Sequence, residues 1–344
     1  MPSYRKRAVV LTTAAACLLS PLAAAPAVAA ADATAVKTLV VGIDGASFDF
    51  LDDADMPNLD ALRGRGMVSS SNLYGTPLAG TISGPGWSTI ATGVWPDKHD
   101  VVDNNFTAPR YDLYPDYLTR IEAAQPERST AVVATWSPIA TTVFGSAVDS
   151  RIQGGNDVGT TAKAVEAIAG GADDVFVHLD EVDGAGHSTG TNGAAYAQAL
   201  AKADGEIGEI LAAVDARPAD EEWTIVVTAD HGHTPTGGHG GSSPAERKVF
   251  VIAAGPGIEP GVRHDVKITD VAPPSSPPSA SPRIRPGRST ARPYRTSRPM
   301  PSTRCAPSCR PARTRPVPER MSSAGRMRRR RGGASTTPSC PPAA

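Results

Sequence analysis

The chain has 344 residues, 34 Lys and Arg against 35 Asp and Glu, and 40% hydrophobic residues, enough for one large α/β domain or two small ones. The near-zero net charge averages two unlike pieces. Residues 274–344 carry sixteen Arg, no Lys and one acid, Glu319, which leaves residues 1–273 with a net charge of about −16. An acidic body suits a protein that holds cations, and no specific nucleic-acid partner is expected for it. The four cysteines (Cys17, Cys305, Cys309, Cys340) all avoid the region between, so disulfides are excluded there and core packing must hold the fold.

At the N-terminus, Arg5, Lys6 and Arg7 precede an Ala/Leu/Val-rich segment that ends in "APAVAAADA", which reads as a signal peptide over residues 1–30. Pro21 and Pro26 interrupt the apolar run and small residues follow at once, so cleavage near Ala29 or Ala30 is expected rather than a membrane anchor. The expected product is secreted, extracellular or associated with the cell wall, with no stable membrane insertion.

"KTLVVGIDG" (37–45) is a continuous apolar run, the pattern of a strand buried on both faces of a parallel sheet. "MPNLDALRGRG" follows with helical spacing and a glycine stop, and a second helix is expected from about Trp87. Further strands are predicted at "STAVVATW" (129–136), "DVFVHLD" (174–180), "WTIVVTAD" (223–230) and "KVFVIAAG" (248–255). Helices are predicted between them, near 160–168 and 194–214. The alternation predicts a doubly wound, mostly parallel α/β sheet with helices on both faces, in which ligands bind at the carboxyl ends of the strands.

Three such ends carry aspartate: Asp44, Asp183 just past "DVFVHLD", and Asp230 followed by His231. One would be an ordinary loop or cap residue. Three, with His187 and His239 nearby, point to a shared polar centre. The glycines of "DGAGH" are expected to fold the backbone so that Asp183 and His187 face one ion, and those around His239 to bring it back to the same place. Mixed Asp/His sets suit zinc, whereas an all-carboxylate set would suit magnesium or calcium. Five or six ligands are too many for one tetrahedral ion, so two Zn2+ are implied, the usual device for displacement at phosphorus. Ser83, in a Ser-Gly-Pro-Gly turn before a helix, supplies a nucleophile at a helix N-terminus, or else an ordinary cap.

"VVGIDG", "MPNLDALRGRGM", "SGPGWSTIATGVWPDKHDVVDNNF", "DEVDGAGH", "TADHGH" and "GGHGGSSPAERKVFVIAAGPGI" together resemble the nucleotide pyrophosphatase/phosphodiesterase branch of the alkaline phosphatase superfamily. The resemblance runs from about Lys37 to Ala272. It implies an alkaline phosphatase-like catalytic domain over 37–273, one zinc on Asp44, Asp230, His231 and the Ser83 oxygen, and another on Asp183, His187 and His239. It places Asn104 as a donor to the phosphoryl oxygen and Ser83 where the family usually has Thr; Thr81 misaligns by two residues. The implied reaction is hydrolysis of a small-molecule phosphate ester through a phosphoseryl intermediate.

Other histidines read more plainly. His178 reads as a packed core residue, His99 as structural and His264 as exposed, while His233 is either an orienting partner or a loop residue. Trp87 either walls the substrate pocket or belongs to the core. Alternatives to a phosphodiesterase are a phosphomonoesterase, a sulfatase, and an inactive binding protein with a basic tail. For the sulfatase, Ser83-Gly84-Pro85-Gly86-Trp87 lacks the Arg that sulfatases carry at the fifth place. Only seven residues separate His231 from His239, little material for a nucleotide-binding cap.

Residues 274–344, Pro/Ser/Arg-rich and nearly free of aliphatic residues, read as a disordered tail. Two accounts stay open: a cationic tail for anionic polymers, or a frameshift product. One base lost after the Pro273 codon of a GC-rich gene yields such an Arg-only composition, and the neighbouring frame can encode the apolar helix that the family carries there.

Overall fold

The computed structural model describes residues 36–272; the expected signal peptide and the 274–344 tail lie outside the described residues. Eight strands form one sheet: β1 Lys37–Ile43, β2 Met67–Asn72, β3 Thr130–Ala134, β4 Ser150–Gln153, β5 Asp174–Leu179, β6 Trp223–Thr228, β7 Lys248–Ala254 and β8 Gly261–Arg263. Their order is β4-β3-β5-β1-β6-β7-β2-β8, and every strand but β7 runs in the same direction. The helices are α1 Pro57–Arg65, α2 Ser83–Thr92, α3 Pro96–His99, α4 Tyr117–Ala124, α5 Asp157–Ala169, α6 Glu181–Thr189, α7 Ala194–Asp215 and α8 Pro244–Arg247. None is long and apolar enough to cross a membrane among the described residues.

Both faces of the sheet are covered, which is why its central strands are continuous apolar runs. Leu39, Val41 and Ile43 of β1 pack with Leu59 and Leu62 of α1, Ile168 of α5 and Leu200, Ile207 and Ile210 of α7. On the other face Val40 joins Trp87 and Ile90 of α2, Leu118 of α4 and Phe176 of β5. Each such side chain contributes roughly 1.5–3 kcal/mol when withdrawn from water.

All five predicted strands are present. The strands not anticipated are β2, β4 and β8. The serines of β2 ("MVSSSN") hide its pattern, although Ser69 is fully buried and its hydroxyl donates to the Val266 carbonyl at 3.2 Å. β4 and β8 lie at the sheet's two edges, where a polar, exposed strand needs no apolar alternation.

Register decides where the chemistry sits. Gly42 of β1 is level with His178 of β5 and with Thr228 of β6. Two residues further along each strand come Asp180, Asp44 and Asp230, so three neighbouring parallel strands end in a row of carboxylates.

Candidate active site

The buried half of the site grows from the ends of β1 and β6. Asp44, Asp230 and His231 are essentially without solvent contact. His231 Nε2 lies 3.5 Å from Asp44 Oδ1 and 3.3 Å from Asp230 Oδ2. Its Nδ1 faces the Gly232 carbonyl at 3.2 Å, which places the ring proton there and leaves the Nε2 lone pair facing the two carboxylates. Asp44 Oδ1 and Asp230 Oδ2 are buried without a hydrogen-bond donor. Their companion oxygens are held: the Gly45 N–H donates to Asp230 Oδ1 at 3.2 Å, and the Trp87 indole donates to Asp44 Oδ2 at 2.8 Å.

The electrostatics reflect this crowding. Burial, and then the neighbouring Asp44 charge, push the Asp230 carboxyl well above the usual carboxylate range. Burial also acts against an ionised Asp44, but the His178 hydrogen bond and charge, with the Trp87 hydrogen bond, outweigh it and hold that carboxyl low. Burial pushes His231 down to about 4, so its imidazole is neutral and free to ligate. Asp180, at the end of β5, is pushed up to about 7 by burial and then by Asp44.

The open half lies beside it. Asp183 and His187 sit one turn apart on α6, with His187 Nε2 3.3 Å from Asp183 Oδ2. His239 Nε2 is 3.0 Å from His187 Nε2 and 3.5 Å from Asp183 Oδ1. His239 Nδ1 donates to the Thr81 carbonyl at 2.6 Å, so its Nε2 is the free nitrogen. Stacking of the His231 and His239 rings, with centroids 3.9 Å apart, joins the two halves.

The expected part played by the "DGAGH" glycines needs correction. Helical i,i+4 spacing, not a glycine bend, brings Asp183 and His187 together. Gly186 is needed because a Cβ there would fall 2.4 Å from the His233 ring, whereas a Cβ on Gly184 would meet nothing. The loop glycines do behave as expected: Gly237, Gly238 and Gly240 all adopt positive φ, and this loop returns His239 to the site. The α6 N-terminus is fixed from outside the site, since the buried Asp157 carboxylate accepts from the Asp180 and Glu181 N–H groups at 2.8 and 2.9 Å.

Ser83 opens α2, and its Oγ, which caps no N–H of the helix, lies 3.4 Å from His231 Nε2. Asn104, exposed, accepts from the Gly84 N–H through Oδ1 at 2.7 Å, which ties its amide oxygen to the first turn of α2. Thr81 is tied into the His239 loop: its hydroxyl donates to the Gly241 carbonyl at 3.1 Å and accepts from the Gly240 N–H at 2.9 Å. It positions His239 and has no freedom to attack.

Two residues prove closer to the chemistry than their sequence context suggested. His178 is buried in β5, as a core residue would be, but its Nε2 lies 3.0 Å from Asp44 Oδ2. Trp87 is core as well, its ring lying where a Cβ on Gly42 would be, and its indole grips the same oxygen. Neither partnership has a local signal, since His178 and Asp44 are 134 residues apart. His99 is structural: it is buried, and its Nδ1 accepts from the Val101 N–H at 3.1 Å.

The sheet, its covering helices and the Asp/His centre at the strand ends define an alkaline phosphatase-like α/β protein. A model of the type I phosphodiesterase / nucleotide pyrophosphatase family matches residues 38–152 and 130–242, and the chain belongs to that family. Human ectonucleotide pyrophosphatase/phosphodiesterase family member 7 is 26% identical over 264 residues, which cover 67% of this chain and 54% of the relative. The chain thus spans about half the length of that relative. The solved structure of murine ectonucleotide pyrophosphatase / phosphodiesterase 5 superposes with a TM-score of 0.54 at 14% identity, covering 69% of this chain and 93% of the other. A 2-O GAG sulfatase shares the fold at a TM-score of 0.52 and 14% identity, over 66% of this chain and 65% of its own.

Proposed function

We propose that the chain is a secreted two-zinc hydrolase of phosphoric esters, of the phosphodiesterase / nucleotide pyrophosphatase type, acting through a phosphoseryl intermediate on Ser83. One observation carries the reading: Asp44 Oδ1 and Asp230 Oδ2 are buried without donors beside a neutral imidazole and a serine hydroxyl. An unpaired buried carboxylate costs several kcal/mol, and a cation is the ligand that removes this cost. Among the described residues, the Asp/His groupings around this point have the donor chemistry of zinc.

Asp44, Asp230, His231 and the Ser83 oxygen would hold one ion; Asp183, His187 and His239 would hold the other. When bound, the pair supplies Lewis acidity that lowers the Ser83 hydroxyl pKa and offsets charge on the leaving oxygen. Ser83 Oγ then forms the bond to phosphorus as the ester oxygen departs. Water attacks phosphorus from the opposite side, the Oγ–P bond breaks, and the hydroxyl is restored. The Asn104 NH2 and the Ser83 N–H, which has no acceptor in the first turn of α2, donate to the non-bridging oxygens.

The family's name and that of the human relative support a diester or pyrophosphate over a monoester. Against a sulfatase reading, the buried Trp87 stands where sulfatases carry Arg. The test is metal analysis of the purified protein, with initial rates on a chromogenic phosphodiester, the matching monoester and the sulfate ester. The expected result is about two zinc per chain, a preference for the diester, and a phosphate on the Ser83 peptide after acid quench. A zinc-free active protein, or an aldehyde at Ser83, would overturn it.

A further inference from the structure

His233 has no part in the ligand sets above, yet it is fully buried at their centre. Its ring occupies a slot formed by two glycines: a Cβ on Gly45 would fall 2.6 Å from Nε2, and one on Gly186 would fall 2.4 Å from Cδ2. Its own N–H donates to Ser47 Oγ at 3.0 Å. Ser47 in turn donates its N–H to the Tyr196 hydroxyl at 2.8 Å, and that hydroxyl donates to the Gly45 carbonyl at 2.7 Å. The ring is thus locked from both sides and has no room to swing.

His233 Nε2 lies 2.8 Å from Asp183 Oδ1, hydrogen-bonding distance, while Nδ1 is buried without a partner. A proton on Nδ1 would be an orphaned buried donor, so the neutral ring carries its proton on Nε2. We infer that His233 is a positioning residue: its Nε2–H donates to Asp183 Oδ1 and so fixes the carboxylate with Oδ2 3.3 Å from His187 Nε2 and Oδ1 on the His239 side. The open-half ion then has three protein ligands and keeps a coordination position for substrate, where a fourth would close the site. A donor to a ligating carboxylate typically governs metal affinity by 10–100-fold.

The inference rests on the two-zinc reading, and the experiment separates their failures. Zinc affinity of both sites is measured by chelator competition in the wild type, H233M, H233Q and H187Q. Fewer than two zinc on the wild type would overturn the two-zinc reading itself. With two zinc present, H233M, which keeps volume but removes the donor, is expected to raise the Kd of one zinc by about 10–100-fold and leave the other unchanged. H233Q, whose amide can still donate, is expected to recover most of that loss, which a merely space-filling residue would not show. H187Q is expected to lose the same zinc outright. Wild-type affinities in H233M would overturn the inference, as would loss of a zinc in H233M that H187Q retains, since His233 would then be a ligand. Should H233M fail to fold, G186A, which displaces the ring but keeps its donor, is expected to weaken the same zinc; unchanged affinity there would sink the proposal.

Discussion

The two halves of the site are built differently. Asp44, Asp230 and His231 leave the ends of adjacent central strands, sealed from water and braced by Trp87, His178 and the Gly45 N–H. Asp183, His187 and His239 stand on a short helix and a glycine-rich loop, with the His187 side chain 54% exposed. A sheet end fixes ligands before anything binds, at the cost of crowding like charges. A helix face and a loop leave ligands that adjust and that water can replace. The buried half is therefore expected to bind its ion tightly and the open half to exchange it.

The largest effect should come from the serine oxygen beside the buried half. Ser83→Ala is expected to lower kcat/KM by about 10⁶-fold, as loss of a nucleophile can, while zinc content stays near two per chain. Residual activity near the wild-type level, measured on the diester, would remove Ser83 from the reaction.

Next comes the contrast itself. Asp230→Ala and His187→Ala are each expected to lose one zinc, a different one in each variant, and chelator should strip the wild type in two phases, the open half first. Single-phase loss followed by zinc analysis would erase the distinction. Asn104→Ala removes only the outer donor and is expected to cost about 10²–10³ in kcat, the range for one such donor, at unchanged zinc content.

Smaller effects concern the bracing. Trp87→Phe removes one hydrogen bond to a buried carboxylate and should destabilise the chain by about 1.5–3 kcal/mol, read by urea unfolding. Asp180, whose folded pKa of about 7 lies above its unfolded value near 3.9, binds more protons folded than unfolded between these limits. Its contribution to stability is therefore lost as pH rises through this window. In metal-free protein, Asp180→Asn is expected to be more stable than the wild type at pH 7, with the gap closing toward pH 4.

The parts of the molecule visible in the sequence are those where one segment explains itself. Strands β1, β3, β5, β6 and β7 show as apolar runs because both their faces are buried, and the aspartates stand out because they break those runs at the ends. The edge strands β4 and β8 and the serine-bearing β2 lack that pattern. Helix α6 has no helical signature in the sequence because Gly184 and Gly186 disguise it, although one of those glycines is there for a histidine 47 positions further on.

From its order of residues the chain settled a mostly parallel α/β sheet and named a set of aspartates, histidines and a serine, since burial pattern and strand-end chemistry are local properties. Register and packing decided the rest: that Asp180, Asp44 and Asp230 stand abreast, that His178 and Trp87 share one Asp44 oxygen, that Thr81 serves His239, and that His233 is locked against Asp183. Those relations join residues up to 186 positions apart. A partner that distant is chosen by the way strands align and helices close over them, and no neighbouring residue carries a trace of that choice.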